Sequence, residues 1–236
     1  MPGIDQHTKL LLHADGTDAG TTFTDSSTYQ SAKTVTANGN AQLDTAQQKF
    51  GTASGLFDGT GDYLTTPDHA DFSFGSGDFT IDFWVRFSSL AANRQTIYWH
   101  QTDASNYIAI VWNNSDTRWQ LEIVEATVAI VQVNATDTIS IDTWYHVAAV
   151  KKALNTTYEV FRDGVSKGSS VDASVPADYS SSVYVGMDEA ASWPLFGWLD
   201  ELRVSKGIAR WTTTFTPPIA AYDTVDLKSK MFNVFE

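Results

Sequence analysis

Hydrophobic and polar residues alternate along most of this chain, most sharply in Asp78-Phe79-Thr80-Ile81-Asp82-Phe83-Trp84-Val85-Arg86-Phe87. In an extended strand successive side chains point to opposite faces, so Phe79, Ile81, Phe83, Val85 and Phe87 share one face and predict one wall of a core. Eleven more segments have strand length and composition: 9–13, 54–58, 62–66, 95–100, 107–112, 118–124, 128–134, 144–151, 157–162, 183–186 and 196–205. Turn-forming clusters separate them, among them Asp58-Gly59-Thr60-Gly61-Asp62 and Asn113-Asn114-Ser115-Asp116. Arg162-Asp163-Gly164-Val165 predicts a tight hairpin, because Asp-Gly supplies the positive φ angles of a type I′ turn. No segment sustains a 3.6-residue period; residues 90–93 and 207–211 have room for one helical turn each. Closely spaced strands without intervening helices predict an all-β fold, two antiparallel sheets packed face to face as a jelly-roll sandwich. The chain reads as one domain over residues 1–218, followed by a tail at 219–236 after Thr216-Pro217-Pro218.

Composition supports a folded core: 42% of the 236 residues are hydrophobic and 13% aromatic, against 18% charged. The formal net charge of −13 argues against nucleic acid and anionic membrane surfaces as partners, and favours neutral or cationic ligands and divalent cations. With no Cys, disulfides, thiolate metal sites and Cys nucleophiles are all excluded. The apolar run at residues 10–12 is too short for a signal-peptide core, and no stretch approaches the ~20 apolar residues of a membrane-spanning helix. The expected product is therefore soluble and made in the cytoplasm.

Five segments in order resemble the LamG-like jelly-roll branch of the concanavalin A-like lectin/glucanase superfamily. They are 54–64 (SGLFDGTGDYL), 78–86 (DFTIDFWVR), 144–150 (WYHVAAV), 158–164 (YEVFRDG) and 196–204 (FGWLDELRV). The opening residues 9–16 and the closing 203–211, followed by Phe215-Thr216-Pro217-Pro218, resemble the variant found in bacteriophage virion proteins. The resemblance implies a two-sheet jelly roll that commonly binds glycans or mediates adhesion, sometimes holds calcium and often lacks catalysis.

Asp200 is the most informative acid. In Phe196-Gly197-Trp198-Leu199-Asp200-Glu201-Leu202-Arg203-Val204, strict alternation places it on one face with Phe196, Trp198, Leu202 and Val204. A carboxylate there must be paired, accept backbone N–H groups or ligate a cation. Calcium takes 6 to 8 oxygen ligands, and Asp200 with Asp15 and Asp25 of the N-terminal loop makes a partial set. The resemblance implies as ligands the Asp of this strand and an Asp near the N-terminal loop. Backbone amides bonded to Asp200 are the alternative, and loop acids such as Asp15 and Asp25 are also ordinary turn formers.

Catalytic constellations are weak. Glu122 and Glu125, three apart on a strand, point to opposite faces, whereas a glycosidase needs two carboxylates flanking one bond; surface charge is the simpler reading. His7, His13, His69, His100 and His146 show no metal-binding spacing, and no Gly-x-Ser-x-Gly elbow occurs. Aromatic planes cover apolar sugar faces while amides and carboxylates bond hydroxyls, so Trp84, Trp112, Asn113, Trp119 and Trp193, placed beside polar residues or turns, are the candidate ligand-binding residues. In the tail, Leu227, Met231, Phe232 and Phe235 predict an assembly contact, with a second copy or with other virion proteins. The expected function is a non-enzymatic, virion-associated module that binds a surface glycan or polymer. The alternatives are a purely structural virion component and, third, a glycoside hydrolase.

Overall fold

The computed structural model describes residues 3–29 and 31–223. Its fifteen strands are β1 (Thr8–Leu12), β2 (Thr36–Asn38), β3 (Gln42–Asp44), β4 (Ser54–Asp58), β5 (Tyr63–Thr66), β6 (Phe79–Phe87), β7 (Arg94–Asp103) and β8 (Asn106–Asn113), then β9 (Arg118–Glu125), β10 (Val128–Thr136), β11 (Trp144–Lys152), β12 (Thr157–Arg162), β13 (Val165–Val171), β14 (Val183–Val185) and β15 (Phe196–Lys206). All twelve anticipated strands are present; β2, β3 and β13 are additional. Helical turns occur at Ala70–Phe72 and Ala153–Asn155, whereas residues 90–93 and 207–211 are irregular. No helix among the described residues is long and apolar enough to cross a membrane.

The strands form two antiparallel sheets. One has eight strands in the order β13-β12-β11-β6-β15-β4-β3, with β1 also paired to β15; the other has seven, in the order β10-β9-β8-β7-β14-β5-β2. This is the jelly-roll sandwich the alternation predicts. Phe79, Ile81, Phe83, Val85 and Phe87 of β6 are fully buried between the sheets, opposite Ile108, Ile110 and Trp112 of β8 and Trp119, Leu121 and Ile123 of β9. The β12–β13 hairpin turns at Asp163 (φ 50°) and Gly164 (φ 78°), the two positive φ angles expected of a type I′ turn. Gly164 is needed for a second reason: a Cβ there would stand 1.7 Å from the carbonyl oxygen of Phe215.

Two expectations change. In β15 the pairing with β6 slips between Asp200 and Arg203, and Glu201 takes φ 51°, marking a β-bulge. The bulge reverses the alternation, so Asp200 and Arg203 both face outward while Leu202 and Val204 face the core. Asp200 therefore does not share a face with Leu202 and Val204. The domain also extends past residue 218. Tyr222 is buried with Ile4 and Leu11, its N–H donates to Glu201 Oε2 (2.7 Å), and the Ile4 N–H donates to the Asp223 carbonyl (2.8 Å). The tail residues Leu227, Met231, Phe232 and Phe235 lie outside the described residues.

Candidate functional site

The outer faces of the two sheets differ. On the eight-stranded sheet, residues 207–223 cross the outward positions of β6 and β11. Trp211 stacks on Phe215 (4.4 Å between centroids), and both rings pack edge-on against His146 (5.2 and 5.7 Å). Beneath them Arg203 makes a bidentate pair with Asp82 (3.0 and 3.1 Å), and the Tyr222 hydroxyl donates to the same carboxylate. Burial pushes Asp82 up, but Arg203 and His146 outweigh it and hold the carboxyl below its ordinary value. His146 is fully buried in this network, a sheet-face histidine rather than a base.

On the seven-stranded sheet the cover is partial: Trp99, Ala109 and Val111 are buried with Trp193 packed against them, while Tyr107 and Tyr184 stay half-buried and Gln132 and Asn134 exposed. Trp99 stacks on Tyr107 (4.2 Å) and packs against Trp193 (5.8 Å), and Tyr63 stacks on Tyr184 (5.5 Å). The Trp193 loop is fixed by buried Asp188, which accepts the N–H groups of Ser192 and Trp193 (2.8 and 2.7 Å). The Arg94 guanidinium lies 4.3 Å from the Trp193 ring centre and donates to Glu122 Oε2 (2.8 Å). From Glu122 a ladder of amides runs along β9 and β10. Gln132 donates to Glu122 (3.3 Å), Asn134 to Gln132 (3.2 Å), Gln120 to Asn134 (2.9 Å) and Asn113 to Gln120 (3.0 Å).

Between the aromatic half and the amide half opens a cleft of about 290 Å³, lined by Arg94, Tyr107, Glu122, Val124 and Gln132 among others. Its volume is near the lower end of small-molecule sites. Burial, with the Glu122 carboxylate, pushes the Tyr107 phenol up against the opposing effect of Arg94, and burial with Glu189 does the same to Tyr184. Both phenols remain protonated hydrogen-bond donors at neutral pH. The arrangement offers apolar ring surface beside amides and one neutralised ion pair, which suits a polyhydroxylated ligand.

The structure separates the residues singled out from sequence. Trp193 lies half-buried on this face, and Asn113 turns toward it but is buried, its amide donating to Asp116 and Gln120. Trp112 and Trp119 do not belong to it: they point into the core, 5.2 Å apart and at most 1% exposed, so neither ring is available to a ligand. Trp84 faces outward from the eight-stranded sheet but is covered, with the Lys49 ammonium 4.0 Å from its ring centre and Phe50 edge-on at 5.8 Å. Glu122 is not surface charge but a buried member of the network, whereas Glu125 accepts from the Tyr179 hydroxyl (2.8 Å). Sequence reasoning missed Trp99, Tyr107, Arg94 and Gln132. The period-2 partners Tyr107, Ala109, Val111 and Asn113 of β8 were the available signal.

The acids proposed for calcium are also separated. Asp25 is saturated by the N–H groups of Leu11, Ser27 and Lys33 and the Ser27 hydroxyl, and does not fit a metal. Asp200 accepts the N–H groups of Lys49 and Phe50 at Oδ2 (2.8 and 3.0 Å), as the alternative reading required, yet its buried Oδ1 has no partner. Burial, aided by the Glu201 and Asp15 carboxylates, pushes Asp200 up to about 7 despite those two amides. Asp15 accepts from the Thr52 N–H and hydroxyl. An orphaned carboxylate oxygen beside a second carboxylate fits a cation. No group of three or more His, Cys, Asp or Glu among the described residues is arranged to hold one, so most ligands would be carbonyls and water.

Together the sandwich topology and the aromatic, amide-lined sheet face define a lectin-type β-sandwich. Residues 58–210 match the family described as the concanavalin A-like lectin/glucanases superfamily, and the chain belongs to it. No curated protein sequence matches the chain. Among solved structures it is similar to domain 4 of AbnA, a GH43 extracellular arabinanase from Geobacillus stearothermophilus, in complex with arabinotriose. That match has a TM-score of 0.65 and 20% identity, and covers 86% of this chain and 93% of that one. It is also similar to the binding domain of botulinum neurotoxin serotype C1 (TM-score 0.65, 12% identity, 87% of this chain) and to that of botulinum neurotoxin DC in complex with SialylT (0.62, 14%, 87%). The chain spans about half the length of these toxin domains, 50% and 49%. At such identities the likeness establishes the fold.

Proposed function

We propose that this protein is a non-catalytic carbohydrate-binding module whose ligand occupies the open face of the seven-stranded sheet. The observation that carries this reading is the cleft in which Tyr107, backed by Trp99, stands opposite Glu122 and Gln132. Membership of a lectin-type family supports it, as do neighbours solved with arabinotriose and SialylT. The lack of catalysis is supported by the carboxylates of the face, since Glu122 is tied to Arg94 and Gln132 while Glu125 turns to Tyr179. In its narrower form the module sits on a virion surface and attaches to a host glycan or another polymer. That form is supported by the resemblance of residues 9–16, 203–211 and 215–218 to bacteriophage virion modules, and in it the tail contacts a second copy or another virion protein.

Isothermal titration against soluble polysaccharides tests the reading. Binding that is weakened at least tenfold by Tyr107→Ala, in protein whose circular dichroism is unchanged, is the expected result. Binding unaffected by Tyr107→Ala would contradict it. Calcium is proposed as a structural ion held by Asp200 Oδ1 and Asp15. A cation that binds only the folded chain raises its melting temperature by mass action. The expected rise with calcium over EDTA disappears in Asp200→Ala; equal melting in both buffers would refute the ion.

A further inference from the structure

Resting on the carbohydrate reading of this face, we infer that its ligand is a neutral, extended glycan chain that runs across the strands from β5 to β10, stacked at one end and hydrogen-bonded at the other. The registers place Thr65, Tyr184, Trp99, Ala109, Glu122 and Gln132 side by side on six neighbouring strands, with Trp99, Ala109 and Glu122 as the buried floor of the row. With strands ~4.8 Å apart, the row is about 24 Å long, which accommodates several sugar units rather than one. Its character changes along its length. Half-buried Tyr184 and Tyr107, with Trp99 buried behind them, supply ring surface at one end, while exposed Gln132 and Asn134, anchored on buried Glu122, supply polar atoms at the other.

The amide end has capacity to spare. Gln132 and Asn134 are exposed, and each spends one N–H within the ladder and accepts one hydrogen bond there. An amide has two N–H donors and two lone pairs, so each keeps one donor and one acceptor for ligand hydroxyls. A ladder that fixes both amides and leaves half of each unused is preorganised for a partner rich in hydroxyl groups.

Charge sets the class. Arg94 is neutralised by Glu122 at 2.8 Å and Arg118 by Asp116 at 2.8 Å, while Glu189, bonded to Gln101, adds negative charge at the Trp99 end. Against a chain of net charge −13, a polyanionic glycan would meet repulsion with no unneutralised cation among these side chains to offset it.

The test is titration calorimetry of the full chain, and of the surface variant Q132A/N134A, against two series. One is neutral: linear arabinan, xylan, mannan, β-glucan and amylose, each also as oligomers of two to six units. The other is acidic: polygalacturonate, alginate and polysialic acid. The expected result is binding to a neutral chain, affinity rising at least tenfold from the shortest to the longest oligomer, and a loss in the amide variant that grows with oligomer length. Tighter binding of an acidic chain, or affinity independent of length, would overturn this inference and leave the carbohydrate reading standing. Absence of binding across both series would overturn the reading and the inference with it.

Discussion

The two outer faces of this sandwich are built from the same kind of strand and end in opposite states. On the eight-stranded sheet, Thr80, Asp82 and Trp84 of β6 are all buried, although alternation made them the polar side of a core strand. Residues 207–223 lie over Thr80 and Asp82, and Lys49 with Phe50 over Trp84: the Thr80 hydroxyl donates to the Ile208 carbonyl (3.1 Å), the Tyr222 hydroxyl donates to Asp82, and Tyr222 closes over Arg203 with 3.6 Å between guanidinium and ring centre. On the seven-stranded sheet, Tyr107 and Tyr184 remain half-buried and Gln132 and Asn134 exposed. The lesson is that the segments laid over each sheet, residues 207–223 with Lys49-Phe50 on one and the Trp193 loop on the other, decide which outward positions are left free to bind. Aromatic residues are plentiful on both faces, so their number alone does not locate a ligand site.

The largest effect is expected on the covered face. Arg203→Ala strands the Asp82 carboxylate in a buried site, and breaking a buried pair costs about 3–5 kcal/mol, measurable by urea denaturation. Trp211→Ala removes the stack on Phe215 and the cover of His146, and is expected to lower stability by about 3 kcal/mol. Neither substitution should change glycan affinity per folded molecule; a loss of affinity with either would break the comparison. On the open face the pattern inverts. Tyr107→Ala should lower stability by only about 1 kcal/mol, the scale of one aromatic pair, while binding weakens by at least about 1–2 kcal/mol.

The smallest effect belongs to the edge where the sheets meet. Asp137, which follows β10, is bonded by Arg162 of β12 (2.7 and 2.8 Å) and Lys167 of β13 (2.9 Å). Burial pushes its carboxyl up, but these cations outweigh burial and hold it below its ordinary value. A carboxyl that titrates lower in the folded chain stabilises fully above its unfolded pKa of ~4, and that contribution is lost as pH falls through the folded value. Asp137→Asn should therefore flatten the acid limb of a stability–pH curve obtained by denaturation between pH 2 and 7. An unchanged slope would remove Asp137 from the account.

Much of the scaffold was legible in the sequence because the core-facing apolar residues of β9 and, Trp84 apart, of β6 alternate with polar ones. β2 and β3 escaped notice because they are three residues long, and β13 because Ser166-Lys167-Gly168-Ser169-Ser170 carries no apolar period. The site was harder to read. In β8 both faces are apolar, Ile108, Ile110 and Trp112 inward against Ala109 and Val111 outward, so nothing local said which way Trp112 points. In β7 a register shift between Thr96 and Tyr98 hides the phase of Trp99, as the bulge at Glu201 hides that of Asp200. Trp193 was found because its loop position left it outside any alternation.

The central claim, that the outer face of the seven-stranded sheet around Tyr107, Gln132 and Asn134 is the binding face, is tested most directly by a ¹H–¹⁵N NMR titration with the tightest-binding neutral oligosaccharide from the panel. The account predicts perturbations confined to β5, β7–β10, β14 and the Trp193 loop, including the Gln132 and Asn134 side-chain amides and the Trp193 indole. Perturbations centred on residues 207–223, or on the loop that holds Asp15 and Asp200, with β7–β10 silent, would contradict it.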